Sequence, residues 1–132
     1  MFKTRSIVRT IGPLLFILYI NDIASCIDDN VFVNLFADDT LISVEDNNID
    51  MAVIRINRIL GKIERWLNVN KLILNCEKSK VMILGASKEN ISSICLNGVN
   101  LEYVDSIKYL GVIVDDKLNF KIHFNELIKN IE

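Results

Sequence analysis

The stretch NLFADDTLI (34–42) sets two adjacent carboxylates, Asp38 and Asp39, inside a run that otherwise has the composition of buried sheet. Two unit charges ~4 Å apart repel by about 4 kcal/mol at an effective dielectric of 20, so a partly buried pair calls for a cation. Magnesium suits it, because that ion takes hard oxygen ligands, usually one or two protein carboxylates, and completes its shell with water and substrate phosphates. The matching chemistry is nucleotidyl transfer, in which two metals about 3.5 to 4 Å apart serve an attacking 3′-hydroxyl and a leaving pyrophosphate. At an exposed hairpin tip the same pair needs no ligand, since aspartate tolerates turn conformations, left-handed ones included. The dipeptide alone does not choose between these readings.

The elements around the pair must hold it in place. VFVNLF (31–36) and TLISV (40–44) are β-branched and aromatic, and the ADD between them predicts two strands joined by a tight turn with the carboxylates at its tip. Upstream, Pro13 fits the first turn of a helix that continues to about Ala24. Downstream, Ile49, Val53, Ile56, Ile59, Leu60, Ile63, Trp66 and Leu67 recur at helical spacing and predict a helix from Ile49 to Leu67, with Asn47 or Asn48 as its cap. Arg55, Arg58, Lys62 and Arg65 form a stripe roughly opposite that apolar face, either a solvated surface or a phosphate track. Strand-like runs follow at 81–84, 93–96, 99–104 and 107–114, with Asn97-Gly98 as a hairpin signal. A helix from about Phe120 to Ile131 closes the chain, with Ile122, Leu127, Ile128 and Ile131 on its apolar side. The sum is one α+β domain over residues 1–132, with helices packed against a largely antiparallel sheet.

A chain of 132 residues with 51% hydrophobic content is suited to a real core and is not a disordered tail. The net charge of −2 hides an asymmetry. Residues 28–50 hold seven acids and no Lys or Arg, whereas residues 55–80 hold seven cations against Glu64 and Glu77. Cys26, Cys76 and Cys95 with the lone His123 give neither a disulfide framework nor a zinc site, and predict reduced, buried thiols. Lys3, Arg5 and Arg9 before IGPLLFILYI resemble the start of a signal peptide, but Asn21 and Asp22 interrupt the passage to a cleavage site. Export is therefore the weaker expectation, and the apolar run is too short to span a bilayer.

Order along the chain adds what single motifs lack. GPLLFILYINDI (12–23), FADD (36–39), KLILNCEKSK (71–80) and KYLGVIVD (108–115) resemble, in sequence and order, the palm motifs of reverse transcriptases from non-LTR retrotransposons. The resemblance implies a polymerase palm-like fold with a C-terminal hairpin region, and RNA-directed DNA polymerase activity with an RNA template, a DNA primer, deoxynucleotides and Mg2+ as partners. It implies that Asp38 is a direct magnesium ligand, that Asp39 is the adjacent carboxylate supporting the site, and that Phe36, in place of the commoner Tyr, lies near the primer end. Gly12 and Pro13 would belong to the turn that shapes the template and nucleotide pocket. Lys78 would lie near the triphosphate as proton donor to the departing pyrophosphate, and Tyr109, Leu110 and Gly111 would form the primer-grip hairpin.

Departures from the family carry their own expectation. Where the family has a Gln-Gly-Ser segment before the Gly-Pro turn, this chain reads IVRTI (7–11). The family also supplies another metal-binding Asp from an upstream palm strand, together with fingers residues. Asp22, Asp28 and Asp29 all follow the Gly-Pro motif and do not align with that Asp. The expectation is a truncated stretch of an intracellular polymerase, cytoplasmic or nuclear, that binds magnesium weakly and is inactive by itself. The alternative is a noncatalytic nucleic-acid-binding or interaction fragment that uses its basic segment.

Overall fold

Residues 18, 20–27, 31–36, 39–73, 75–85 and 89–131 are described by the structure, a computed structural model. The chain divides into two compact units, Met1–Ile73 and Leu74–Glu132. The expected turn at Gly12 and Pro13 and the first part of the helix after it lie outside the described residues, as does Asp38.

In the first unit, Leu18, Ile20 and Asn21 are helical and run into a tighter 3-10 turn, Asp22–Cys26, whose Ile23 is buried. The expected hairpin follows as β1 (Val31–Phe36) and β2 (Asp39–Val44), paired antiparallel from Val31↔Val44 to Phe36↔Asp39. Side chains alternate across a strand, so the pairs Val31↔Val44 and Val33↔Ile42 share one half-buried face. Phe32, Phe36, Asp39 and Leu41 are exposed on the other.

Helix α1 (Ile49–Val69) begins where the Asn48 side chain accepts hydrogen bonds from the amides of Asp50 (2.8 Å) and Met51 (3.2 Å), meeting two of the donors that a helix start leaves without partners. The apolar stripe read from the sequence buries Val53, Ile59, Leu60, Ile63 and Leu67. α1 packs on the 3-10 turn and on β2. At its far end Lys71 takes a left-handed conformation (φ 55°), the amide of Leu72 reaches the Leu67 carbonyl (2.9 Å), and that of Lys71 reaches Asn68 (3.2 Å). This is a Schellman stop with lysine where glycine is usual.

The second unit opens with a 3-10 turn, Cys76–Lys78, followed by β3 (Lys80–Val81). β4 (Cys95–Leu96) and β5 (Val99–Asn100) form a hairpin around Asn97 and Gly98, whose φ values of 50° and 73° are those of the tight turn the dipeptide favours. β6 (Glu102–Tyr103) pairs parallel with β3, braced by the Lys80–Glu102 ion pair. β7 (Ser106–Tyr109) and β8 (Val112–Asp115) form a third hairpin, and α2 (Lys121–Lys129) packs on β8.

The mixed α+β composition agrees with the sequence, but the described strands pair as four two-stranded ladders, three antiparallel and one parallel. The run 107–114 folds back on itself at Leu110 and Gly111. Cys26, Cys76 and Cys95 are in no disulfide and are half-buried, not buried as expected. α2 turns His123 toward β8, where the Ile113 amide donates to His123 Nδ1 (3.4 Å), and Lys108 on β7 lies 3.8 Å from Glu126 at the surface. Its apolar residues Ile122, Leu127, Ile128 and Ile131 are exposed. Among the described residues no helix is long and apolar enough to cross a membrane.

Candidate functional site

The register brings Phe36 and Asp39 opposite each other as the last pair of the β1–β2 ladder. Phe36 is 58% exposed, and Phe32, two pairs along on the same face, is 61% exposed. A strand that buries one face normally turns polar residues outward, so two exposed phenylalanines beside a carboxylate make an unusual surface. It combines flat apolar area with a hard oxygen donor.

α1 holds this hairpin from below. Arg55 donates to the Glu45 carbonyl (2.8 Å) and to Asp46 Oδ2 (3.3 Å), tying the end of β2 to the helix. The Asn48 amide holds the Asp46 carboxyl below its ordinary range, against the opposing effect of burial, and Arg55 lowers it further. One member of the basic stripe therefore has a structural task.

The remaining expected site residues lie in the second unit. Lys78 ends the Cys76–Lys78 turn, exposed, with its amide and that of Glu77 directed at Asn75 Oδ1 (3.4 and 3.1 Å). Tyr109 is the last residue of β7, and Leu110 (φ 47°) and Gly111 (φ 84°) are the two turn residues. Two successive positive φ values make the turn whose twist matches a two-residue hairpin. Leucine rarely adopts this conformation, because its Cβ crowds the following carbonyl. It is here held up to solvent at the tip. Gly12, Pro13 and Asp38 lie outside the described residues.

Asp115 is a residue that sequence reasoning quoted within KYLGVIVD but gave no role. It is 5% exposed, and its carboxylate accepts from the amides of Lys117 (3.1 Å), Asn119 (3.2 Å) and Phe120 (2.7 Å). Burial raises its pKa, but the Asn119, Phe120 and Lys117 amides outweigh it and leave the carboxyl below its usual range. These bonds fix the link from β8 to α2, in which Leu118 and Phe120 both have positive φ. An aspartate at the end of a strand and shortly before Asn119 is the signal that could have revealed it.

The family comparison decides what the hairpins belong to. The pattern of the family described as reverse transcriptase (RNA-dependent DNA polymerase) matches residues 9–114, from before Gly12 and Pro13 into β8. The chain belongs to the reverse transcriptase family. Among curated proteins, this reverse transcriptase chain is 23% identical over 123 residues to the RNA-directed DNA polymerase from mobile element jockey of Drosophila melanogaster, covering 89% of the chain and 13% of that protein. It is 24% identical over 116 residues to a 115 kDa protein of the type-1 retrotransposable element R1DM of the same species, covering 88% of the chain and 11% of that protein. The jockey polymerase of Drosophila funebris matches at 23% over 123 residues, again 89% of the chain and 13% of that protein. The chain thus spans 11–13% of the length of these curated relatives. No solved structure matches it.

Proposed function

We propose that the tip of the β1–β2 hairpin is the metal-binding turn of a polymerase palm, in a domain that extends a DNA primer on an RNA template inside the cell. The observation that carries this reading is the register of the ladder: Phe36 pairs with Asp39, the first and last residues of FADD, within a family match over residues 9–114. The donor chemistry suits magnesium, since Asp39 is an exposed carboxylate and Asp38 precedes it in the sequence, and that ion takes one or two protein carboxylates and completes its shell with water and phosphate. In this reading Asp38 holds the ion directly and Asp39 supports it. When bound, the ion supplies electrostatic stabilisation to the transferring phosphoryl group.

The chain's own residues would do the rest. Phe36 offers a flat apolar surface to the primer end, and Gly12 and Pro13 shape the pocket for template and nucleotide. Lys78 is a general acid for the departing pyrophosphate, a role that needs an ammonium on an accessible segment. Tyr109, Leu110 and Gly111 press on the primer strand. Residues 1–132 form part of one reverse transcriptase domain in this account, and by themselves they do not polymerise. Two carboxylates from one turn are fewer than the family's site requires, and misplaced reacting atoms cost rate steeply.

Primer extension on an RNA template with magnesium tests the claim of inactivity. The 132-residue chain and its Asp38→Ala variant should both leave the primer unextended. Template-dependent extension by the wild type that disappears in Asp38→Ala would refute the inactivity and leave the site assignment standing. Extension that persists in Asp38→Ala would refute the assignment as well.

A further inference from the structure

We propose that Cys76 is a positioning residue for Lys78. Its thiol clamps the Cys76–Lys78 turn to the tip of the β4–β5 hairpin, donating to the Leu96 carbonyl (3.6 Å) and accepting from the Asn97 side-chain amide (3.8 Å). This role rests on the reading of Lys78 as general acid, and it names what holds the segment that carries the lysine.

Lys78 is exposed on a turn of three residues, none of them buried, so no core face fixes it. The turn's other bonds are local. Asn75 Oδ1 accepts from the Glu77 and Lys78 amides, the Ser79 amide reaches the Cys76 carbonyl (3.1 Å), and the Ser79 hydroxyl donates to the Asn75 carbonyl (3.1 Å). These bonds shape the turn without tying it to another element. Cys76 supplies that tie on one side, and the pairing of β3 with β6, braced by Lys80 and Glu102, supplies it on the other. Lys78 therefore sits between two anchors, two residues from each. The hairpin end of the clamp is firm: Leu96 is 3% exposed, and Asn97 is held in the left-handed conformation of the turn (φ 50°). A thiol is weak both as donor and as acceptor, so the clamp adds little to overall stability and acts on placement. Placement is what a general acid needs, because a shift of about 1 Å can cost about a hundredfold in rate.

Amide order parameters of the isotope-labelled chain test the clamp. Those of Lys78 and Ser79 should lie near the rigid-backbone value of about 0.85 and fall toward about 0.6 in Cys76→Ala, with β7 and β8 unchanged. Asn97→Gly keeps the turn conformation and removes the side-chain amide, so it should loosen the same two residues. Combined with Cys76→Ala it should loosen them no further than Cys76→Ala alone. If Cys76→Ala does not fold, Asn97→Gly decides. Order parameters that stay at the wild-type value, losses that add in the double variant, or loosening that spreads to β7 and β8 would overturn the clamp. In an active polymerase that carries this segment, Cys76→Ala should lower kcat about tenfold at unchanged nucleotide KM, and should have no effect in a Lys78→Gln background. Full kcat in Lys78→Gln beside a loosened turn in Cys76→Ala would refute the general acid and with it the positioning role, while a rigid turn in Cys76→Ala would refute the clamp and leave the general acid standing.

Discussion

Asp115 and Leu110 show how single residues shape the second unit. Asp115 replaces helix-capping chemistry with a carboxylate that gathers three amides at the β8–α2 junction. Its folded pKa lies below its unfolded value, so its stabilisation is fully present above the ordinary aspartate range near 3.9 and is lost as pH falls through the lowered folded value. Asp115→Asn should therefore flatten the acid limb of a pH-dependent unfolding curve and destabilise the junction at neutral pH, as followed by amide exchange of Asn119 and Phe120. An acid limb identical to wild type would count against the carboxylate's role. Leu110 illustrates the opposite trade, a residue ill suited to its backbone. Leu110→Asn should stabilise the β7–β8 hairpin by about 0.5–1 kcal/mol in thermal unfolding, since asparagine tolerates the left-handed region. If this tip presses on a primer, the same change in an active polymerase should lower its affinity for primer.

At the scale of elements, the firmest features were those whose signal is local. The 3.6-residue spacing of apolar side chains marked α1 and its buried face, and of the two candidate caps, Asn47 and Asn48, it is Asn48 that starts the helix. Asn48→Ala should cost about 1 kcal/mol, and Ile63→Ala, at a side chain only 2% exposed, about 2–5 kcal/mol in denaturant unfolding. The order of those two losses is the check, because a larger loss at the cap would mean that α1 is not held by its core face. Alternation of side chains and the Asn97-Gly98 turn likewise marked two hairpins. The β7–β8 turn escaped a reading by residue type, because leucine in its first central position carries no turn signal. Only the likeness to the family pointed to a hairpin at Tyr109–Gly111. The direction of α2 also escaped. Periodicity identifies an apolar stripe but not its partner, and here His123, which accepts from the Ile113 amide, faces the β7–β8 hairpin.

At the scale of the molecule, a mildly acidic average conceals two segments of different character. The acidic stretch 28–50 holds the hairpin with Asp38 and Asp39, and the basic stretch 55–80 follows on α1 and the Cys76–Lys78 turn. Under the proposed function, the carboxylates of the hairpin lie where a cation and phosphates meet. The candidate site was legible as an ordered set of motifs, while the position of each side chain depended on strand register, which a one-residue slip would invert. Phe36 and Asp39 share the exposed face because that register holds.

The central claim is that the Asp38-Asp39 turn binds a divalent cation, and paramagnetic broadening tests it most directly. Mn2+ added in small amounts to the isotope-labelled 132-residue chain should first erase the amide signals of Phe36, Asp39 and Thr40, and excess Mg2+ should restore them. Asp38→Asn combined with Asp39→Asn should abolish the effect. Broadening that begins elsewhere, or that persists at the hairpin tip in the double variant, would contradict the account.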